Sequence, residues 1–230
     1  MAQILSIRQT GRRGDRCEIE LDSGDTLTFR LEVVMRLGLK PGQEVQAQSL
    51  QAAVALEESV RAKEYALNLL SHSGRSRRQI ADRLQRKGFA PEIIEATLER
   101  LGGVGLLDDD AFARSYTYSR VADRAMGRRA LQQELAVKGV DRDTAQRAVE
   151  DVLQGKSELD LALQAAHARW DRLAKLPAAE AQGKLLGFLA RRGFAAGICW
   201  AAVKQVMGSR RGDSDGDSGW LDDPADGPRE

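Results

Sequence analysis

The sequence predicts a mainly α-helical fold, and three observations support this prediction. Aromatic residues make up 5% and charged residues 30% of the 230 residues, a balance typical of helices with broad solvated faces. Apolar residues follow three- and four-residue spacing from about residue 49 onwards, as they do along one face of a helix. Similar strings also recur, which indicates a repeat protein. They are SRRQIADRLQRKGF at 76–89, GRRALQQELAVKGV at 127–140 and GKLLGFLARRGF at 183–194.

The repeats align on three glycines, Gly88, Gly139 and Gly193, which lie 51 and 54 residues apart. Apolar residues stand eight and four positions before each glycine, and again ten and thirteen positions after it. The preceding ones are Ile80, Leu84, Leu131, Leu135, Leu185 and Leu189. This stripe predicts two successive helices joined at a glycine with positive φ. A further helix precedes each pair, at about 58–72, 109–124 and 157–172, so each repeat has three helices.

The helix ends carry recognisable signals. Ser76 with Gln79 fits a capping box, in which each side chain binds the other residue's backbone N–H. Pro91 suits the first position of the next helix, and Asp141 can cap the corresponding helix of the second repeat. Helices this short are marginal alone, so we expect the three repeats to pack their stripes together in an elongated, curved body.

The N-terminal residues have a different pattern. ILSIRQ, CEIEL and TLTFRL alternate apolar and polar residues, which is typical of strands. Gly24 suits a hairpin turn, GRRG at 11–14 suits the tip of the first hairpin, and LEVVMRLGL predicts a short helix ending near Gly38. We therefore predict a small β-rich module of about three strands. It is too small to be stable alone, so we expect it to pack on its neighbour.

The predicted organisation has five parts, whose charge differs. They are the β-rich module at 1–45, the first repeat with its leading helix at 46–107, the second repeat at 108–154, the third repeat at 155–207 and a disordered acidic tail at 208–230. The tail holds 3 Lys/Arg against 7 Asp/Glu, whereas residues 64–207 hold 23 against 18. A basic body followed by an acidic tail steers partners through its local potential.

No pattern in the sequence favours an enzyme, a metal site or a cofactor. Gly155-Lys156-Ser157 ends like a phosphate-binding loop, but Glu150 occupies the place of its first glycine. The histidine and cysteine spacing does not suit zinc, and 213–224 lacks the glycine and glutamate of a calcium loop. Two distant cysteines, no signal-peptide pattern and no long apolar run predict a cytoplasmic protein without a disulfide framework or membrane span.

Basic residues recur on the predicted helices and are the candidates for partner binding. Their alternative interpretation is a solvated face balanced by Glu and Asp. Repetition at one structural position favours a surface for phosphates or for an acidic protein groove. The candidates are Arg77, Arg78, Arg86, Lys87, Arg120, Arg124, Arg128, Arg129, Lys138, Lys184, Arg191 and Arg192. For Phe112 and Tyr116, four residues apart, we expect core packing rather than stacking on bases.

Residues 106–140 resemble the RecX family of regulatory proteins, which act on the recombinase RecA. The family pattern combines an acidic helix start, Phe-Ala, Tyr, Arg, Gly-x-Arg and Glu-Leu-x-x-Lys-Gly. The matching residues are Asp108, Asp109, Phe112, Ala113, Tyr116, Arg120, Gly127, Arg128, Glu134, Leu135, Lys138 and Gly139. The first and third repeats are also similar to the family, so the resemblance covers about residues 62–207. Residues 1–45 and the insertion-like segment 173–182 depart from the common pattern.

The resemblance implies three tandem three-helix repeats that bind RecA and the RecA–single-stranded-DNA filament along its groove. It implies inhibition of filament growth, strand exchange and RecA ATP turnover, and so modulation of recombination, DNA repair and the SOS response. We expect a monomer that is not an enzyme, needs no cofactor and contacts RecA and single-stranded DNA. Two alternatives stay open: a DNA-binding helical-repeat protein acting without RecA, and a structural helical adaptor.

Overall fold

The computed structural model of the chain describes residues 2–11 and 14–214, with side chains up to residue 208. Two compact units form, Met1–Asp108 and Asp109–Glu230. The first contains a small sheet and one three-helix repeat, and the second contains two further three-helix repeats. The predicted mainly helical fold with a strand module and three repeats is therefore confirmed. The boundaries assigned to the five parts and the elongated, curved arrangement stay predictions.

The N-terminal module is an antiparallel sheet with one short helix. Its strands are β1 (Ala2–Thr10), β2 (Arg16–Leu21), β3 (Thr26–Arg30) and β4 (Glu44–Val45), in the order β3-β2-β1-β4. Helix α1 (Leu31–Leu37) ends, as predicted, at Gly38, whose φ is 62°, and Gly24 has a φ of 87° in its turn. The predicted tip of the first hairpin lies partly outside the described residues. The sequence missed β4, because two residues are too few to show alternation.

Helix α2 joins the sheet to the first repeat. It is one continuous helix, Ala47–His72. Ala53 in its first half packs into the core of the sheet, and Ala66 in its second half packs into the core of the repeat. The backbone N–H and guanidinium of Arg30 donate to the Glu57 carboxylate at 2.7 and 2.8 Å, which fixes the end of β3 on the helix. The strand module therefore packs on its neighbour, as predicted.

Two shorter helices complete the first repeat. They are α3 (Arg77–Arg86) and α4 (Pro91–Gly103). Ile80 and Leu84 are fully buried between them and α2. The capping box is confirmed, because the Ser76 hydroxyl accepts from the Gln79 N–H and the Gln79 side chain accepts from the Ser76 N–H, each at 3.2 Å. Gly88 lies in the turn after α3 and has a φ of 85°.

The second unit contains two repeats that share one hydrophobic core. Its helices are α5 (Asp109–Arg124), α6 (Arg128–Val137), α7 (Arg142–Leu153), α8 (Glu158–Leu173), α9 (Ala178–Arg191) and α10 (Ala196–Ser214). The predicted stripe is confirmed by four fully buried leucines, Leu131, Leu135, Leu185 and Leu189. Gly139 and Gly193 have φ values of 82° and 84°. The carboxylate of Asp141 caps α7 by accepting from the Thr144 N–H at 2.9 Å.

The tail predicted from residue 208 stays a prediction, and its first seven residues, 208–214, belong to a helix. Helix α10 continues to Ser214, seven residues beyond the predicted end of the third repeat at residue 207. Extending an existing helix adds a hydrogen bond without a new nucleation cost, so the loss of apolar residues after Met207 does not end it. Residues 215–230, the rest of the predicted tail, lie outside the described residues.

The insertion-like segment 173–182 contributes its last residues to the start of α9. This helix therefore has 14 residues, against 10 in each of α3 and α6.

Between residues 2 and 214, leaving out 12 and 13, no helix is long and apolar enough to cross a membrane. In the same ranges no group of three or more His, Cys, Asp and Glu residues has an arrangement that would hold a metal ion. Cys17 and Cys199 are free thiols, and burial raises the pKa of each. The thiolates that metal binding and nucleophilic chemistry require are therefore disfavoured at both positions.

Candidate partner-binding surface

The middle helices of the first two repeats, α3 and α6, each begin with two arginines that have different surroundings. The first of each pair contacts an acidic residue of the next helix: Arg77 lies 2.8 Å from Glu95, and Arg128 lies 3.8 Å from Glu150. The second of each pair is Arg78 or Arg129. Both are exposed, and neither has a partner among the described residues. The first position therefore joins helices within the repeat, and the second is available to a partner.

The basic residue that ends each of these helices covers an aromatic ring. The Lys87 ammonium lies 5.4 Å from the ring centre of Tyr65, and that of Lys138 lies 4.7 Å from the ring centre of Tyr116. Both the lysines and the tyrosines are 51 residues apart, so the contact repeats in register. Cation–π contacts of this kind stabilise the turn at the repeat glycine.

In the second repeat the contact around Tyr116 is extended by two charged residues. The Tyr116 hydroxyl donates to the Glu134 carboxylate at 2.5 Å and accepts from the Arg120 Nε at 2.8 Å. Arg120 also lies 3.0 Å from the Glu134 carboxylate. Burial, followed by the hydrogen bond to Glu134, raises the pKa of the Tyr116 hydroxyl. Phe112 stacks on the Tyr116 ring at 6.0 Å, so core packing of both rings is confirmed.

The third repeat uses its basic residues differently. The Arg192 guanidinium lies 4.9 Å from the ring centre of Phe188 and donates to the backbone carbonyl of Arg124. Burial, followed by the charge of Arg124, lowers the pKa of Arg192. Lys184 forms an ion pair with Glu180 at 2.7 Å, one turn earlier on α9. Arg191 is exposed and has no partner among the described residues.

The predicted binding residues thus fall into two groups. Those held by side chains of the same unit are Arg77, Lys87, Arg120, Arg128, Lys138, Lys184 and Arg192. Those exposed without a described acidic partner are Arg78, Arg86, Arg124, Arg129 and Arg191. Arg86 donates only to the backbone carbonyl of Asp82, at 3.1 Å. The second group is the outward basic set.

A glycine pair that the sequence did not reveal joins the second and third repeats. The N–H of Gly127 donates to the Arg192 carbonyl at 2.8 Å. A Cβ added to Gly127 would lie 2.5 Å from the carbonyl carbon of Gly193, and one added to Gly193 would lie 2.2 Å from the Ala130 nitrogen. Only glycine fits this approach of two backbones. The alignment of the repeats is the signal that could have revealed this pair, because Gly127 occupies the position that the cap residue Ser76 has in the first repeat.

Comparison with family models assigns all three repeats to one family. The model described as "RecX, first three-helix domain" matches residues 62–101, the second three-helix domain matches 108–149, and the third matches 156–203. These ranges together span more than half of the chain. Each begins near the leading helix and ends within the third helix of a repeat, so the models and the structural repeats coincide.

Relatives with the same family name match most of their own length. "Regulatory protein RecX" of Thermobifida fusca is 40% identical over 147 residues, which are 64% of this chain and 79% of that protein. The protein of that name from Clostridioides difficile is 29% identical over 194 residues, 84% of this chain and 91% of that protein.

Two solved structures share the fold. A crystal structure of regulatory protein RecX has a TM-score of 0.69 and 24% identity, and covers 89% of this chain and 100% of its own. That of RecX from Lactobacillus salivarius has a TM-score of 0.57 and 21% identity, and covers 66% of this chain and 98% of its own. The first of these structures matches 89% of this chain, which is more than residues 47–230 alone would make up. The match therefore includes part of the β-rich module.

Proposed function

This chain belongs to the RecX family of regulatory proteins, and we propose that it regulates the recombinase RecA. It binds RecA and the RecA–single-stranded-DNA filament, and it inhibits filament growth, strand exchange and RecA ATP turnover. Through these effects it modulates recombination, DNA repair and the SOS response. It acts in the cytoplasm as a monomer, without cofactor and without catalytic activity of its own.

The observation that carries this proposal is that four of the five residues of the outward basic set lie on the middle helices. Arg78 and Arg86 lie on α3, Arg129 lies on α6 and Arg191 lies on α9. Arg78 and Arg129 occupy one position of the repeat, and Arg86 and Arg191 occupy another. Each repeat therefore offers a guanidinium to a partner at a repeated position, as suits a filament that repeats its own surface.

Guanidinium groups suit both components of such a filament. A guanidinium pairs bidentately with a phosphate of DNA or with a carboxylate of a protein. Arginines already paired with acidic residues of their own repeat, such as Arg77 and Arg128, would have to break those contacts first. We therefore assign partner binding to the outward basic set. The arginines that are paired with acidic residues support it by holding the middle helices in place.

RecA ATP turnover on single-stranded DNA tests this function. Addition of the protein to preformed filaments is expected to slow turnover in a saturable manner, because it blocks filament growth. Binding should be tighter to the filament than to RecA or DNA separately. The control is a protein denatured by heat before addition. Unchanged turnover at a concentration that saturates filament binding would contradict the proposed inhibition.

A second candidate function, DNA binding without RecA, is favoured by the same unpaired arginines. It predicts that the affinity for DNA falls steeply with salt and does not change when RecA is added. The regulator predicts instead that RecA raises the affinity for the DNA-bound filament. A structural adaptor predicts that reversing the charge of Arg129 leaves both affinities intact. One titration series, with and without RecA at two salt concentrations, separates the three.

A further inference from the structure

A groove with an exposed tryptophan and two arginines lies between three helices of the second unit. It has a volume of about 720 Å³ and is called here the α6–α9–α10 groove. Each helix lines it with residues one turn apart: Arg129 and Gln133 from α6, Gly187 and Arg191 from α9, and Ala196 and Trp200 from α10. The contact between Gly127 and Gly193 fixes α6 beside the turn from α9 to α10. The walls are thus held by backbone packing.

The groove carries positive charge that no acidic residue balances among its described lining residues, none of which is Asp or Glu. Arg129 and Arg191 are exposed at the groove and belong to the outward basic set. The charge is therefore complementary to an anionic partner.

The apolar part of the groove suits a planar ring. The Trp200 side chain is 54% exposed, although its neighbour Cys199 is buried in the core. The wall formed by α9 includes Gly187, which has no side chain, and Ala190, which has only a methyl group, so this wall leaves free space in the groove. A Cβ added to Gly187 would lie 3.3 Å from Nη1 of Arg191, so this guanidinium lies over the glycine.

We propose that the α6–α9–α10 groove binds single-stranded nucleic acid, with a base stacked on Trp200 and the adjoining phosphates held by Arg129 and Arg191. Aromatic platforms beside arginines bind single strands with little sequence preference, because every base has a π-face. An acidic peptide would use the arginines equally well, but an exposed indole beside two arginines is the combination that stacks on bases and holds phosphates. This site deepens the proposed function and rests on its DNA-binding part.

Anisotropy of a labelled oligothymidylate of about 12 nucleotides, within the site sizes of single-strand binders, tests the site on the full chain. Trp200→Ala is expected to weaken binding roughly tenfold or more, and Trp200→Phe to keep most of it, because a phenyl ring still stacks. Arg129→Glu and Arg191→Glu are each expected to weaken binding at least as much. Arg142→Glu is the matched control, since Arg142 is exposed on α7 away from the groove.

Gly187→Ala separates loss of the site from loss of the fold. Alanine favours helix more than glycine does, and the nearest atom to the new Cβ is the mobile end of Arg191. The variant is therefore expected to melt no lower than the wild type. The methyl group narrows the groove and displaces the guanidinium, so oligothymidylate binding is expected to weaken several-fold while Arg142→Glu has a smaller effect.

Three outcomes decide the proposal. Oligothymidylate binding that is unchanged in Trp200→Ala, Arg129→Glu and Arg191→Glu overturns it. Loss of binding to RecA filaments without loss of oligothymidylate binding also overturns it, since the groove then receives a protein segment, and the proposed regulation of RecA stands. Weakened oligothymidylate binding in these variants, with no effect of the wild type on RecA ATP turnover, supports the groove and contradicts the regulation.

Discussion

The first and second repeats align position by position, yet different residues stand before their middle helices and the helix starts are stabilised in different ways. Ser76 caps α3 with its side chain, whereas Gly127, at the same position before α6, has none. The α6 N–H group of Arg128 is bound instead by Glu158 of α8, at 3.2 Å. The middle helix of the first repeat begins at a local side-chain cap, whereas that of the second repeat begins at contacts from the third repeat. Register therefore predicts where a helix begins, but not what stabilises its beginning.

The largest difference between the two repeats is expected at this cap position. By local propensity Gly127→Ser should stabilise α6, since serine is the better N-cap. Its Cβ would overlap the Gly193 backbone, so we expect a loss of about 3 kcal/mol in the free energy of unfolding. The reverse change, Ser76→Gly, is expected to cost only about 0.3 kcal/mol. Urea denaturation of both variants measures this, and equal losses would show that the glycine contact does not constrain α6.

A smaller difference is expected at the tyrosines. Tyr116→Phe removes the hydroxyl that bridges Glu134 and Arg120, and leaves their ion pair. We expect it to lower the free energy of unfolding by about 1 kcal/mol. Tyr65, its equivalent, has no hydrogen bond through its hydroxyl to any described residue. Tyr65→Phe is expected to change stability by less than about 0.5 kcal/mol. Equal effects in urea denaturation would mean that the polar contacts of Tyr116 add nothing.

The smallest difference is expected at the start of the third helices and depends on pH. Asp141 caps α7, whereas Ala90 before α4 offers no side-chain cap. Hydrogen bonds from the backbone N–H and then from the side chain of Thr144 lower the pKa of Asp141 below its ordinary 3.8. The stabilisation is therefore present above that pH and is lost as the pH falls through the folded-state pKa. Asp141→Asn keeps a cap but does not titrate.

The melting temperature against pH measures this effect. The wild type is expected to melt slightly above Asp141→Asn at pH 7, because a negative charge favours the helix N-terminus. The difference should shrink as the pH falls below about 3.8. A difference that stays constant down to pH 2 would exclude a charged cap. A substitution at Ala90 provides the control, since no such dependence is expected there.

The features that the sequence predicted are those governed by local chemistry and periodicity. Gly88, Gly139 and Gly193 take the positive φ that a turn after a helix requires, and the capping box at Ser76 forms as its spacing predicts. The buried leucine stripes follow the period of the helix. Each of these depends on residues within a few positions of one another, so the sequence shows them directly.

The features that it missed arise from contacts between distant residues. Nothing near Gly127 in sequence reveals that Gly193 approaches it, because the contact depends on how α6 and α9 pack. The guanidinium of Arg192 was assigned to partner binding on its spacing, but a ring of α9 and a carbonyl of α5 hold it. Sequence spacing thus located the basic residues, and only packing separates the outward set from those engaged in the repeats.

Two double variants, assayed for inhibition of RecA ATP turnover, test most directly whether the outward arginines bind the partner while the arginines paired with acidic residues stabilise the repeats. Arg78→Glu with Arg129→Glu reverses the outward position of two repeats, and we predict an unchanged melting temperature with inhibition reduced tenfold or more. Arg77→Gln with Arg128→Gln removes the contacts to Glu95 and Glu150, and we predict a lower melting temperature with inhibition retained below it. Full inhibition by the charge-reversed protein would contradict the assignment of partner binding to the outward basic set.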